Sequence, residues 1–245
     1  FITYALSSIS FSQLNTNVWG HMKLQKIYHY YNRDLVFESI APSLKKCVEK
    51  AVDAGIDLSG ADLSHANLRD VNLDDAIMTD VNFRDADLRG ANMSEGTFEK
   101  CDFSNALMHG ACLNESRFEK SAFLYTRFGD TDCAGTNFIE CYFGGVSCFS
   151  LRFFECATTH KSLYFQDNRK SYSISEPPLV IQGLKKLIVL LDTHYLYGSE
   201  IAPHSRLFGE TDTQNWPPET SSVSLNATDL RHIILAFAYE TGRFK

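Results

Sequence analysis

Two groups of side chains in this sequence have the chemistry to form a functional site, and the first lies near the C-terminal end. Asp192 and His194 are two residues apart, so they would share one face of a strand, and His204 follows them. Aspartate and histidine together can act as a general base or hold a metal ion. Both tasks need more convergent partners than these three residues, so we predict no catalytic residue, no metal ligand and no cofactor.

Carboxylates form the second group. Between Asp53 and Glu155 there are 18 acidic and 8 basic residues, a net charge of −10, whereas the whole chain carries −7. Rows of exposed carboxylates attract cationic surfaces. We therefore predict that this group of carboxylates binds a basic partner. The residues on which this prediction rests are Asp74, Asp75, Glu95, Glu115 and Asp132.

The segment that must position these carboxylates has an apolar residue at every fifth position. The series begins at Leu58 and continues without interruption to Phe153, which makes twenty apolar residues. A small residue precedes most of them by two positions. A period of five fits neither a helix, with 3.6 residues per turn, nor a strand, with two. It predicts a solenoid in which each unit buries its apolar side by stacking on its neighbours.

Residues 61–68 read Ala-Asp-Leu-Ser-His-Ala-Asn-Leu, which resembles the A(D/N)LXX pattern of the pentapeptide-repeat family. The resemblance implies a right-handed quadrilateral β-helix in which four units, or twenty residues, close one turn. We expect about five coils between residues 56 and 157. At roughly 4.8 Å per coil, they would form a rod of about 24 Å.

The cysteines are a candidate set for disulfides or zinc, but no Cys-x-x-Cys spacing occurs. Six of the seven lie in or just beyond the repeats, and all of these except Cys112 occupy inward positions. They are Cys101, Cys112, Cys133, Cys141, Cys148 and Cys156. Free cysteine packs as a small hydrophobe. We therefore predict reduced core thiols and a cytoplasmic protein.

Two elements are predicted ahead of the repeats. Ile27–Tyr31 and Leu35–Phe37 contain β-forming residues on either side of a turn-like Asn-Arg-Asp, so they are predicted to form a hairpin. Ser43 is a candidate N-cap for a helix that ends before Gly55. We expect residues 24–55 to cap the open end of the β-helix, and residues 1–23 to be an extension ahead of the cap.

Beyond the repeats we expect residues 158–245 to form a small α+β region. Leu179–Ile181 and Leu187–Leu191 are short apolar runs typical of strands, and Leu230–Phe237 carry an amphipathic helical stripe. This layout, with its Ile-x-Gly-Leu, Asp-x-His and Gly tail, resembles pentapeptide-repeat proteins encoded in phages and prophages. The tail residues concerned are Ile181, Gly183, Leu184, Asp192, His194, Gly198 and His204.

A square coil places the five carboxylates on the side whose inward residues include Leu73 and Leu113. Duplex DNA presents one charge per about 1.7 Å of its axis, and an acidic ridge can imitate that line of charge. The family resemblance supplies a precedent, since it implies mimicry of duplex DNA toward gyrase or topoisomerase IV. Those members are long rods, usually dimers joined at a C-terminal helix, whereas this repeat is short.

We therefore predict a non-enzymatic, phage-type protein that binds a basic protein partner, such as a topoisomerase, through its acidic side. No apolar run approaches the roughly 20 residues of a membrane span, and we predict neither membrane nor direct nucleic-acid binding. Two alternatives stay open. The negative charge only keeps the rod soluble, or the solenoid is a rigid or oligomerisation scaffold whose C-terminal region makes the contacts through Leu230–Phe237.

Overall fold

A computed structural model describes residues 22–152, 154–166, 170–181, 188–197 and 200–203 of the 245-residue chain. The N-terminal elements are β1 (Lys23–Tyr28), β2 (Leu35–Ala41) and α1 (Leu44–Asp53). The repeats contain β3 (Ile77–Thr79), β4 (Thr97–Glu99), β5 (Arg117–Glu119), β6 (Ala122–Leu124), β7 (Asn137–Ile139) and β8 (Tyr142–Gly144). Two 3₁₀ helices follow, Val146–Ser150 and Phe154–Cys156, and then β9 (Thr158–His160) and β10 (Ser162–Phe165). The last described strands are β11 (Ser171–Ile174), β12 (Leu179–Ile181), β13 (Ile188–Leu190), β14 (His194–Tyr197) and β15 (Glu200–Pro203).

The five-residue period builds the predicted quadrilateral β-helix, and each of its four sides is a parallel ladder. One side is the sheet β3-β4-β5-β7-β9, in which equivalent residues of successive coils pair from β3 through β7. A second side contains β6, β8 and β10, and single parallel bridges hold the other two. The sheet from β3 to β9 spans four turns. The predicted β-helix is therefore confirmed, with about four turns where about five coils were predicted.

The residues at the fifth positions form the core. From Leu58 to Cys148, each exposes at most 1% of its surface. Phenylalanines in successive coils stack with 4.9 to 5.5 Å between the centroids of neighbouring rings, which favours offset-stacked contacts. One stack contains Phe83, Phe103, Phe123 and Phe143, and the other contains Phe98, Phe118 and Phe138.

Hydroxyl residues replace alanine at several of the small inward positions without leaving a buried polar group unpaired. Thr126, Thr131 and Thr136 are fully buried, and the hydroxyl of each donates to a backbone carbonyl of the preceding coil, at 2.6 to 2.7 Å. A buried hydroxyl without such a partner would destabilise the fold. These hydrogen bonds tie each later coil to the coil before it.

A hairpin and a helix form at the N-terminal end of the solenoid as predicted, but the first strand ends at Tyr28 rather than at Tyr31 and the second continues to Ala41. β1 and β2 pair antiparallel, and the Ser43 hydroxyl accepts from the Lys46 amide of α1 at 3.3 Å. The hairpin meets the first coil through an antiparallel bridge between His29 and Ala61. These elements cover the edge of the first coil on the side of Ala61.

The parallel ladder continues to Phe165, beyond the predicted end of the repeats at residue 157. Asp132 pairs with Arg152, which is twenty residues further along the chain, as in the regular coils. Phe138 instead pairs with Thr159, which is twenty-one residues further along. One residue is therefore inserted between Arg152 and Thr159, and it moves the later residues out of the five-residue count. Phe153 lies outside the described residues.

The insertion also explains why one cysteine is not where the sequence predicts it. Cys156 is exposed, whereas the prediction placed it inward, and Ala157 is the neighbour that is buried. The other inward cysteines of the repeats are buried as expected. None of the seven cysteines, all of which are among the described residues, forms a disulfide.

Two small antiparallel groups of strands follow the solenoid. β10 pairs with β11, and β12 to β15 form a four-stranded meander that includes both predicted strands of this region. Residues 1–21, the predicted helix at Leu230–Phe237 and the tail residues Gly183, Leu184, Gly198 and His204 lie outside the described residues. Within the described part of the chain, no helix has the length and apolar character needed to cross a membrane.

Candidate functional site

The acidic face is the side of the solenoid built by residues 71–75 and their repeats at 91–95, 111–115 and 131–135. Its inward side chains, from Leu73 to Cys133, are fully buried. The residues just before them pair in register through parallel bridges. On this face Asn92 donates its side-chain amide to Asn72 at 3.1 Å, which links two coils. The face is therefore a fixed platform on which the exposed side chains keep their spacing.

Three carboxylates form a line along one edge of the acidic face. Asp75, Glu95 and Glu115 are exposed and occupy the same corner of successive coils. The amide of each donates to a backbone carbonyl of the following coil, at 2.9 to 3.0 Å. Each has a positive φ, between 55° and 58°. One coil separates neighbours, so their backbones are about 4.8 Å apart.

The structure places the other two predicted residues differently. Asp74 is exposed and directly precedes Asp75, so it adds a fourth carboxylate to this edge. Asp132 lies on the same face but on the other side of the inward residue Cys133. Its Oδ1 accepts from the Ala134 amide at 3.1 Å, and it pairs with Cys112 and Arg152 in the ladder. The structure therefore brings four of the five residues together and leaves Asp132 apart from them.

Several carboxylates on the other three sides have cationic neighbours. Representative nitrogen–oxygen distances are 2.7 Å for Glu99–Lys100, 2.8 Å for Glu119–Arg117, 3.0 Å for Asp102–Arg84 and 2.5 Å for Asp87–Arg89. Among the described residues, no ion pair includes Asp74, Asp75, Glu95, Glu115 or Asp132. The negative charge of these five residues is thus uncompensated, and Asp57 and Asp80 on another side of the solenoid likewise take part in no described ion pair.

Two carboxylates on the other sides have pKa values that their cationic neighbours lower. Hydrogen bonds from Arg89 hold the pKa of the Asp87 carboxyl below its usual value. Hydrogen bonds from Arg117 and Lys120 do the same for the pKa of Glu119. These carboxylates are already committed to intramolecular partners.

Sequence reasoning missed two further carboxylates beside the acidic face. Asp70 and Asp130 are exposed and lie at the corner that borders its opposite edge. Neither takes part in an ion pair among the described residues. The five-residue period could have identified them, because each follows an inward residue by two positions, as Asp75, Glu95 and Glu115 do. The acidic face is therefore bordered by carboxylates on both edges.

The histidine and aspartate of the C-terminal region do not form a site with each other. The Asp192 carboxylate accepts from the Ser175 amide at 2.8 and 3.0 Å, and it lies in a bend ahead of β14. His194 contacts the Thr193 hydroxyl at 2.8 Å and the edge of the Tyr172 ring, and burial lowers its pKa. Within the described ranges, no three His, Cys, Asp or Glu side chains are grouped to hold a metal ion.

Comparison with known proteins agrees with the architecture. Residues 56–95 and 82–119 match the profile of the family described as pentapeptide repeats (8 copies). No curated protein matches the chain.

Solved pentapeptide-repeat structures are also similar to the chain. Rfr23 from the cyanobacterium Cyanothece 51142 is 15% identical, with 40% of this chain and 67% of that chain covered and a TM-score of 0.29. HetL, a protein involved in heterocyst differentiation regulation from Nostoc sp. Strain PCC 7120, is 18% identical, with 41% and 42% covered and a TM-score of 0.27. QnrB1, a plasmid-mediated fluoroquinolone resistance protein, is 17% identical, with 40% and 59% covered and a TM-score of 0.21. The similarity spans less than two thirds of the length of HetL and of QnrB1.

The four parallel ladders, the buried apolar residue at every fifth position and the matching family profile agree with one another. The β-helix of this chain is built from pentapeptide repeats, and its residues 56–119 match the pentapeptide-repeat family profile.

Proposed function

We propose that the acidic face binds the basic surface of a protein partner and does so as a mimic of duplex DNA. The observation that supports this most is the line formed by Asp75, Glu95 and Glu115, three in-register carboxylates that take part in none of the described ion pairs. The partner in this proposal is a DNA-handling enzyme such as a topoisomerase, and the protein acts as a phage-type inhibitor.

Electrostatics explains why such a line favours a cationic partner. Like charges about 4 Å apart in water repel by about 1 kcal/mol, and the separation along this line is similar. The ladder fixes the spacing of the backbone at these residues along the solenoid axis. A lysine or arginine placed between two of them relieves the repulsion and forms charge-assisted hydrogen bonds. Association should be fast at low salt and slower as salt screens the charges.

The proposal includes a cytoplasmic place of action, which is consistent with seven cysteines that form no disulfide, because disulfides are rare in reducing compartments. The alternative, a scaffold that binds through Leu230–Phe237, stays a prediction, since those residues lie outside the described ranges.

The test removes the charge of the line without changing its shape. The triple variant Asp75→Asn, Glu95→Gln and Glu115→Gln loses three negative charges. The control variant Glu99→Gln, Asp102→Asn and Glu119→Gln loses the same number from carboxylates that have cationic neighbours. We expect the wild-type protein and the control to inhibit DNA supercoiling by gyrase or DNA relaxation by topoisomerase IV. The acidic-face variant should lose at least tenfold in inhibitory potency.

Equal inhibition by the two triple variants would show that overall charge, and not this line, determines binding. A wild-type protein that inhibits neither enzyme would reject the topoisomerase partner. Inhibition that does not weaken as salt is raised from about 50 to about 200 mM would contradict the electrostatic mechanism.

A further inference from the structure

The hairpin of the cap is apolar on both faces. One face packs against the core, where Ile27 is 1% and Ala41 is 0% exposed. The other face carries large apolar side chains in contact with solvent. They are Leu24 (54% exposed), Tyr28 (40%), Leu35 (49%) and Ile40 (59%). Antiparallel sheets with one solvated face usually place polar residues there, so four large apolar side chains on the solvated face indicate an interaction site.

The register of the hairpin arranges this outer face in three rows. Leu24 lies opposite Ile40, Lys26 opposite Glu38, and Tyr28 opposite Leu35. A bulge between Ile27 and Tyr28 shifts the register, so that Leu35 rather than Val36 pairs with Tyr28. The middle row is an ion pair with 3.5 Å between Lys26 Nζ and Glu38 Oε2, and each side chain is about two-fifths exposed. The outer face is therefore two apolar rows with one charged row between them.

This arrangement is complementary to itself. A second copy related by a two-fold axis parallel to the strands places its β2 over β1 and its β1 over β2. Leu24 then faces the second copy's Ile40, Tyr28 faces its Leu35, and Lys26 faces its Glu38. Four charges of alternating sign meet at the centre, and apolar rows cover both sides of them. A two-fold axis in the same plane but perpendicular to the strands instead places Lys26 on Lys26, which like-charge repulsion disfavours.

We propose that the outer face of the cap hairpin forms a symmetric homodimer through the first of these two arrangements. Each copy contributes the same patch, as in most symmetric dimers. Burial of the apolar rows supplies the favourable free energy, since removal of apolar area from water drives association. The charged row fixes the register and excludes the perpendicular arrangement. This surface is separate from the acidic face, so the proposal does not depend on the proposed function.

The first test measures the mass of the full chain in solution by light scattering and by sedimentation. The wild-type protein should have twice the chain mass of 27.7 kDa. Leu24→Asp and Ile40→Asp should each reduce the mass to that of a single chain, because they place a carboxylate in an apolar row. Ile77→Asp is the matched control, since Ile77 is 78% exposed but lies on the solenoid, and this variant should remain a dimer.

The second test uses the charged row. Lys26→Glu gives a face with two negative charges, and Glu38→Lys gives a face with two positive charges. Each variant alone should be a monomer, and a mixture of the two should form a heterodimer of twice the chain mass. Far-UV circular dichroism checks that both variants keep the fold. Such rescue in the mixture is specific for pairing of two copies in the proposed register.

Three results would overturn the proposal. One is a wild-type protein that keeps the mass of a single chain even at the highest concentration at which it stays in solution. Another is a dimer that survives Leu24→Asp and Ile40→Asp, which would place the contact elsewhere. The third is a wild-type monomer that forms a dimer only when residues 1–21 are removed. That result would show that residues 1–21 cover the outer face of the hairpin in the full chain.

Discussion

The carboxylate of Glu115 lies over the backbone of Gly135 in the next coil of the acidic face. A Cβ atom at Gly135 would be 2.3 Å from Glu115 Oε1, and the φ angle of Gly135 is 69°. Glycine at this position therefore serves two purposes, because it permits the left-handed conformation and leaves room for the last carboxylate of the line.

Gly135→Ala should separate these two purposes when it is compared with Gly110→Ala. Gly110 has a φ of 70°, but its nearest neighbour, Asp130 Oδ1, would be 3.9 Å from an added Cβ. Both substitutions should cost about 1–2 kcal/mol in the free energy of unfolding, because both place alanine in the left-handed region. Only Gly135→Ala should displace the Glu115 carboxylate and weaken inhibition of the partner enzyme. Urea unfolding and the supercoiling assay measure the two effects, and equal inhibition by both variants would contradict the role of Glu115.

Phe118 is the central ring of the aromatic core, and its truncation should be strongly destabilising. Its ring stacks on Phe98 at 4.9 Å and on Phe138 at 5.5 Å, and it meets Phe123 edge-on at 5.3 Å. Phe118→Ala should cost about 3–5 kcal/mol, because the rigid coils above and below cannot close the cavity. Phe118→Leu should cost less than Phe118→Ala, because it leaves a smaller cavity. Urea unfolding monitored by circular dichroism distinguishes them, and a similar cost for both would show that the coils collapse into the cavity.

The fold was predictable because the sequence repeats one simple requirement. Each coil places a large apolar residue at the same inward site, so the spacing of five alone identifies the buried positions from Leu58 to Cys148. The end of the solenoid was not predictable in the same way. Thr159 pairs with Phe138 only because one residue is inserted before it, and a threonine at that position carries no apolar signal.

The acidic face was predictable for a similar reason. Asp75, Glu95 and Glu115 recur once in every coil, and the constant coil length converts that recurrence into a line. Sequence alone could not show that Glu99 and Glu119 have cationic partners while these three take part in no described ion pair. That difference depends on the directions of long side chains around each coil, which the period does not determine.

Glu49 should be important for closing the N-terminal end of the solenoid. Its carboxylate accepts from the Asn72 amide of the first coil at 3.1 Å, and its side chain is about one-tenth exposed. Glu49→Ala leaves that amide without this partner, which should cost about 1–3 kcal/mol. Glu49→Gln keeps an acceptor and should cost less, although it loses the ion pairs to Lys45 and Lys46. Hydrogen exchange of the Asn72 amide is the direct readout, and unchanged protection in Glu49→Ala would contradict the contact.

The cysteines should differ sharply in their reaction with iodoacetamide at pH 8. Burial raises the pKa of the Cys101 and Cys141 thiols to about 12, so almost none of the reactive thiolate is present. Cys156 is exposed and should be alkylated first. Mass spectrometry of digested protein should find modified Cys156 in the native state and all seven modified in urea. Native-state labelling of Cys101 at a rate close to that of Cys156 would show that the coils open readily.

The free energy of unfolding at acidic pH should depend on Asp87. Hydrogen bonds from Arg89 lower the pKa of Asp87 in the folded state, whereas an unfolded aspartate titrates near 3.9. The unfolded chain therefore binds a proton first as the pH falls, and the stabilisation present above about pH 4 is lost as the pH falls through the folded pKa. Asp87→Asn should be less stable than the wild type at pH 6 by up to about 1 kcal/mol, because the pair is largely solvated. That difference should shrink as the pH is lowered from about 4 to about 2.5, and Asp130→Asn, which removes a carboxylate with no described ion pair, is the control. Urea unfolding at both pH values decides the matter, since an equal loss at pH 2.5 would mean that Asp87 acts through its shape and not through its charge.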